Sequence, residues 1–401
     1  MTHDYVTEFI TETLASIPRS DQRRWGDLYV KGLLSAAGRK TMRALAQHVG
    51  GSSEQNLHQF ISKSPWDCSP VRQQLARRFQ ERAEPRAWVV QPLIITKVGR
   101  HSVGVGKQFV PQLGRVVNCQ QGMGIWLASD RLSCPVDWQL SLPECWTDEP
   151  DVRRRAAIPE HVGPCGPEQC ALSAVSRMSV GWGLRQKPVV MDLRETDPRQ
   201  VCVELIERRI PFVVRISPSA SIDTVSPSAL RRPGGAGDER SETRAALVSA
   251  LRRQVLPVEW FDHSTGTMRA TAVGSTRVQL RGRGRSAYRQ PLVLLGSGTD
   301  PGDRGQSELW LSNLSQSQPG TLYRTAMLSR RVERDQAEVS DQLGLRDFEG
   351  RSFRGWHHHM TLVSLAHAVT ALSTTPPTVV PPAAGDPLSA FGTRSLEAPA
   401  A

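Results

Sequence analysis

Hydrophobic positions change their period twice along the chain. Up to about residue 86 they recur at helical spacing. Val6, Phe9, Ile10 and Leu14 form one stripe, and Met42, Leu45, Ala46 and Val49 form another at i, i+3, i+4 and i+7. Gly50-Gly51 stops that second helix, Ser52 and Ser53 offer a new N-cap, and Leu57, Phe60 and Ile61 mark a third helix. From Ala87 the pattern becomes that of strands: AWVVQPLIIT, GMGIWLAS, KPVVMD and PFVVRI, with PRQVCVELIERR an amphipathic helix between the last two. Strand–helix–strand order predicts a mixed α/β sheet. Helical spacing returns after Leu328, where Val332, Val339 and Leu343 share a stripe that Gly344 ends. FEGRSFRGWHHH then reads as a polar, aromatic loop, and a second apolar helix is expected from near Met360.

The stretches in between differ in composition. SPSASIDTVSPSALRRPGGAGDERSETR, from Ser217, is rich in Ser, Pro and Gly and reads as a surface excursion. RVQLRGRGRSAYRQPLVLLGS suggests strands carrying Arg277, Arg281, Arg283, Arg285 and Arg289. Such a basic ribbon suits phosphate contacts, or equally an exposed edge protected by charge. ELWLSNL reads as a buried strand, and the Pro/Ala-rich tail is expected to be disordered. The domains expected are a helical one over 1–86, the first part of an α/β core over 87–216, a β-rich insertion over 217–304, the second part of the core over 305–372, and the tail over 373–401.

Charge narrows the class of partner. The chain carries a formal net charge of +11, mostly from arginine, with an ordinary share of apolar residues. That excess favours a polyanion, nucleic acid before acidic protein. Seven cysteines at irregular spacing, with no legible signal peptide, read as free thiols. No apolar run approaches the roughly 20 residues of a membrane span, so a cytoplasmic protein is expected. In the helical region, a helix, a glycine turn and a helix with Gln55, Asn56, His58 and Gln59 outward fits helix-turn-helix reading of DNA. A plain solvated face explains the same residues. Arg39 and Lys40 join Gln55, Asn56, Gln59 and the arginines Arg277, Arg281, Arg283 and Arg285 as candidate DNA contacts.

Several longer motifs make the chemistry concrete. They are GLRDFEGRSFRGWHHH after the helix that carries Glu333, GRHSVGVGKQFVPQLGRVVNCQQGMGIWLAS, LPECWTDEPDVRRRAAIPE, and YVKGLLSAAGRKTMRALAQHVGG with SPWD shortly after. Together they resemble the insertion-sequence DDE transposases. The resemblance implies an RNase H-like mixed-sheet core with an N-terminal helical domain and a β-rich insertion. It also implies DNA as partner, a homodimer that pairs two DNA ends, and three acids holding two divalent cations, Mg²⁺ or Mn²⁺. Hard carboxylate oxygens are what such cations require.

Position by position, the resemblance places the second acid at Asp192 and the third at Glu333. The first falls on Gln91, followed by Pro92, where the family writes two adjacent aspartates. An amide oxygen is neutral and has no charge to share between cations. No acid lies between Glu84 and Asp130 to replace it. Around Glu333 the family's tyrosine, arginine and lysine correspond to Ala326, Ser329 and Ser340. Asp192 and Glu333 therefore read as remnant acids, or as ordinary charged residues at a strand end and on a helix. His357, His358 and His359 are consecutive and cannot all face one ion, which favours a role supporting other site residues, packing, or contacts to the DNA backbone. The expectation is a transposase-derived, DNA-binding and regulatory protein without strand-transfer chemistry and without a cofactor. The alternatives are an active enzyme with a repaired metal site using Mg²⁺ or Mn²⁺, and a core recruited for a ligand other than DNA.

Overall fold

The computed structural model describes residues 3–50, 53–220, 222–224, 247–280, 291–297 and 308–374. Five helices come first: α1 (His3–Leu14), α2 (Ser20–Ser35), α3 (Met42–His48), α4 (Glu54–Lys63) and α5 (Cys68–Ala83). Thr41, Ser53 and Asp67 cap three of them by accepting from the N–H groups of Ala44, Asn56 and Ser69. Each such bond satisfies a donor that a helix start leaves open. The apolar stripes turn inward as their spacing dictates, burying Phe9, Ile10, Leu14, Leu45, Leu57, Phe60 and Ile61.

The strands follow: β1 (Ala87–Thr96), β2 (Gly106–Val110), β3 (Arg115–Ala128), β4 (Ser133–Ser141), β5 (Val189–Leu193) and β6 (Phe212–Ile216). Between β4 and β5 lie α6 (Glu144–Thr147), α7 (Pro150–Ala156) and α8 (Pro167–Gly181), and α9 (Pro198–Glu207) joins β5 to β6. The spatial order is β4-β3-β1-β5-β6, with β3 antiparallel to β1, β4 and β2 and with β1, β5 and β6 mutually parallel. This is the mixed, RNase H-like core that the sequence predicts. The rest of the sheet is β7 (Ile222–Thr224), β8 (Val255–Asp262), β9 (Thr267–Leu280), β10 (Leu292–Ser297) and β11 (Glu308–Ser312), with helical residues 247–253 as α10. β11 pairs antiparallel with β6, so these strands prolong the core sheet instead of forming a second one. Most of the expected surface excursion, the arginines Arg281, Arg283, Arg285 and Arg289, and the tail from residue 375 lie outside the described residues.

Three expectations are corrected. The helix predicted from Leu328 to Gly344 is not continuous: after α11 (Pro319–Ala326), α12 (Leu328–Asp335) passes into a π-helical turn, Gln336–Ser340. Gly344, at φ +87°, closes the following turn, where a side chain would strike Lys40. The second helix, α13 (Phe353–Thr374), begins seven residues before Met360, so FRGWHHH is helix and not loop. Cys165 and Cys170 are paired, with Cα atoms 5.9 Å apart, because the first turn of α8 folds Cys170 back over Cys165.

Helix α13 is buried around its circumference, among α1, α2, α4, α5 and β4. Most of its polar groups are met one by one, the exceptions being Trp356 Nε1 and His357 Nε2. His358 stacks on Trp66 with ring centroids 3.8 Å apart, and its nitrogens lie 2.8 and 2.9 Å from the carbonyls of Ile61 and Trp66. His359 donates from Nε2 to the Gly344 carbonyl, which leaves Nδ1 to accept from the Tyr29 hydroxyl at 2.9 Å. His367 likewise bonds the Ser133 carbonyl and the Ser340 hydroxyl, each at 2.8 Å. Arg72 of α5 donates to Asp137 of β4 at 2.8 Å, to the Trp138 carbonyl, to Thr361 and to His357. With only 5% and 1% of their side chains exposed, Arg72 and Asp137 form a buried ion pair that ties the first helices to the sheet. Gly122 of β3 leaves room for Trp356, whose ring comes within 3.1 Å of where a side chain there would begin.

Candidate functional site

Parallel pairing of β1 with β5 runs through Trp88–Val189 and Val89–Val190. Continued two residues past the last pair, the same register would bring Gln91 level with Asp192. Pairing with β5 ends at Val89, while Pro92 remains opposite Met123 of β3. The missing N–H of Pro92 thus falls where β1 has lost a neighbour on one side, which is why a nominally central strand tolerates it. Asp192 is exposed near the end of β5 and stands in register with Arg215 of β6. Glu333 projects from α12, which packs over β1, β3, β4 and β5. Its residue is exposed, yet crowding by surrounding atoms raises its pKa above the ordinary carboxylate range; Arg330 and Arg215 oppose this and Asp192 adds to it. Water still reaches the group, so the perturbation is that of a hydrated carboxylate.

The neighbourhood is dominated by arginine. Arg194 holds both oxygens of Asp192, with Nε at 3.0 and 2.9 Å and a terminal nitrogen at 2.7 Å. Its backbone N–H adds a fourth bond at 3.1 Å. Arg215 lies 3.9 Å from Asp192 and donates to Glu308 of β11 at 2.7 Å. Arg330 of α12, one turn before Glu333, donates to the same Glu308 oxygen at 3.1 Å and rests over Trp260, 5.0 Å from its ring centre. It also approaches Asp262 at 3.8 Å, and Asp262 meets Arg269 at 2.8 Å. A ladder of alternating charge therefore runs from β5 across β6 and β11 to β8 and β9. Sequence reasoning did not single out Glu308, Arg215 or Arg330.

Comparison with known families finds that the family described as DDE superfamily endonuclease matches residues 12–283, more than half of the chain. The chain belongs to the DDE superfamily endonucleases. Membership implies interaction with DNA. The matched residues include Gln91 and Asp192, whereas the Glu333 helix lies beyond them. No curated protein matches the chain.

DDE chemistry implies two divalent cations, and the donor set can be tested against them. Such a pair needs several carboxylates free to bridge and chelate. Here Gln91, where the resemblance puts the first acid, is a neutral amide, Asp192 is chelated by a guanidinium, Glu308 and Asp262 are each engaged by two arginines, and Glu333 alone of these acids forms no ion pair with a described residue. Among the described residues no group of three His, Cys, Asp or Glu is arranged to hold a metal ion. These residues do not fit a two-cation centre.

The candidate DNA contacts divide by exposure. Gln55, Asn56 and Gln59 are exposed along α4, and Asn56 and Gln59 line a polar cleft shared with Arg19 and Lys63. Arg277 is exposed on β9. Arg39 is engaged by Glu349 at 2.5 Å and Asp347 at 3.8 Å. Lys40 is buried, with its ammonium turned to the Ala36 carbonyl and its pKa lowered by burial. No helix among the described residues is long and apolar enough to cross a membrane.

Proposed function

We propose that this DDE superfamily protein binds DNA and no longer cuts or joins it. The observation that carries the reading is an Asp192 whose two oxygens are already held by Arg194, in a chain that has Gln91 where the resemblance calls for the first acid. Without enough free carboxylates for two cations, neither an attacking water nor a leaving oxygen acquires the charge stabilisation that strand transfer needs. What remains is a basic protein with a helix pair, α3 and α4, that presents Gln55, Asn56 and Gln59 to solvent. The reading places its origin in an insertion-sequence transposase and its present role in regulation, as a homodimer on paired sites.

The deciding experiment incubates the purified chain with candidate transposon-end DNA and Mg²⁺ or Mn²⁺, scoring binding and cleavage separately. Salt-sensitive binding with no cleavage is expected, with affinity falling steeply as phosphate contacts are screened. Light scattering of the complex reads the oligomeric state. Metal-dependent cleavage that disappears in Asp192→Ala overturns the proposal and restores the enzyme.

A further inference from the structure

Three of the motifs that stand out in the sequence converge in space on one cleft. GRHSVGVGK, PECWTDEPDVRRRAA and FEGRS contribute walls from the exit of β1, the start of β2, helices α6 and α7, and the loop before α13. The cleft measures about 880 Å³, within the roughly 300–1,000 Å³ typical of small-ligand sites. It opens beyond the end of β1, about 20 Å along the chain from Gln91 at the rise of a strand. It is therefore distinct from the arginine ladder.

Two kinds of surface line it. Arg100, Lys107, Arg155 and Arg351 supply four exposed cations, and none of them forms an ion pair with a described residue. Glu149 is the only acid among the described residues of the lining. The second surface is apolar. Val98 is fully exposed and the half-buried Val152 adds aliphatic area, above a floor closed by the buried Val105 and Trp146. The indole N–H of Trp146 is bonded to the Val105 carbonyl at 2.8 Å, which fixes that floor and leaves no donor there.

The frame is set before any ligand arrives. Asn118 donates to the carbonyls of Lys97 and Gly99 at 2.6 and 3.0 Å, and Gln120 donates to that of Val103 at 2.6 Å. A site fixed in this way loses little freedom on binding. A bare phosphate would leave Val98 and Val152 uncovered, and a purely apolar molecule would leave four cations uncompensated. A nucleotide carries both a phosphate and a flat base able to cover apolar area.

We propose that this cleft takes one nucleotide of an unpaired DNA strand, with its phosphates on the four cations and its base against the apolar wall. The proposal rests on the DNA-binding reading and narrows it, because bases stacked and paired inside a duplex cannot enter.

Cys145 supplies the probe. It lines the cleft and is exposed, whereas Cys119, Cys134 and Cys202 are buried. The rate of Cys145 alkylation by N-ethylmaleimide is read by peptide mass spectrometry on the full chain. The arms are a short single strand, the same sequence as blunt duplex, a duplex with a single-stranded overhang, and dAMP, with duplex affinity measured in parallel by anisotropy. The single strand and the overhang should slow modification about tenfold and the blunt duplex less than about twofold. The double variant Lys107→Ala/Arg351→Ala should lose that protection while its buried thiols stay unreactive and its duplex affinity stays within about twofold.

Equal protection by the blunt duplex overturns the unpaired-strand assignment, as does equal protection by dAMP at the same concentration. Undiminished Cys145 reactivity with duplex binding intact removes the cleft proposal and spares the DNA-binding reading. Failure of every DNA to bind removes both.

Discussion

Two polar clusters in this molecule solve the same problem in opposite ways. Around α13, His358, His359, His367 and the Arg72–Asp137 pair are sealed from water, and nearly every donor and acceptor meets a fixed partner. Around Asp192 and Glu333, the acids stay hydrated and are matched by arginines whose side chains also reach solvent. Consecutive histidines cannot all face one ion, and burial shows what His358 and His359 meet instead: fixed carbonyls and a hydroxyl. A sealed cluster holds the fold because each loss leaves an unsatisfied group, while an open one costs little to alter and is free to change partners.

That contrast can be broken first with acid. Burial lowers the pKa of His358, His359 and His367 to about 4, and that of His357 well below its ordinary value. The unfolded chain takes up these protons near pH 6.5 and the folded chain only near pH 4. Their contribution to stability is therefore complete above pH 6.5 and is lost as pH falls toward 4. Each ring accounts for roughly 3 kcal/mol at the bottom of that window. Glu333 acts in the opposite sense, since its raised pKa favours the folded state on acidification, and its exposure keeps the effect small. Urea unfolding followed at pH 7, 6 and 5 should show the steep loss, and a flat profile would mean the histidines are not sealed.

Arg72→Met is the next largest change. It strands the Asp137 carboxylate, leaving only Arg177 beside it, and should cost about 3–5 kcal/mol in chemical denaturation. On the ladder, Glu308→Gln removes the charge that Arg215 and Arg330 share. Because Glu308 is only 12% exposed, a loss of about 1–2 kcal/mol is expected. Arg194→Ala, at the exposed end, should stay within about 0.5 kcal/mol of the parent in the same assay. If Arg194→Ala proves as damaging as Arg72→Met, the two clusters are alike and the contrast fails.

How much of this was legible depended on where the information sits. The strands of the core follow from local period, and AWVVQPLIIT, KPVVMD and PFVVRI became β1, β5 and β6. β4 escaped notice because SCPVDWQLS carries Pro135 and Asp137 in a segment that is almost wholly buried, and the arginines that neutralise Asp137 come from α5 and α8. FRGWHHH reads as loop for the same reason: the carbonyls and hydroxyl that make its histidines fit to bury belong to residues 61, 66, 29 and 344. Gln91 and Asp192 could be placed by resemblance. Glu308, 93 residues from Arg215 and 22 from Arg330, could not, since their meeting depends on β11 adding to β6.

The burial of α13 among the first helices has a consequence for the order of events at the ribosome. Tyr29 bonds His359 across 330 residues, Ile61 bonds His358 across 297, and Arg72 bonds Thr361 across 289. The earliest helices to emerge therefore wait for the last described one before their inner surface is closed. At about 5–20 residues per second, that interval is roughly fifteen seconds to a minute. Until then Phe60, Trp66 and the α2 face stay open to other apolar chains, so a truncation before Phe353 should yield a protein that chaperones retain.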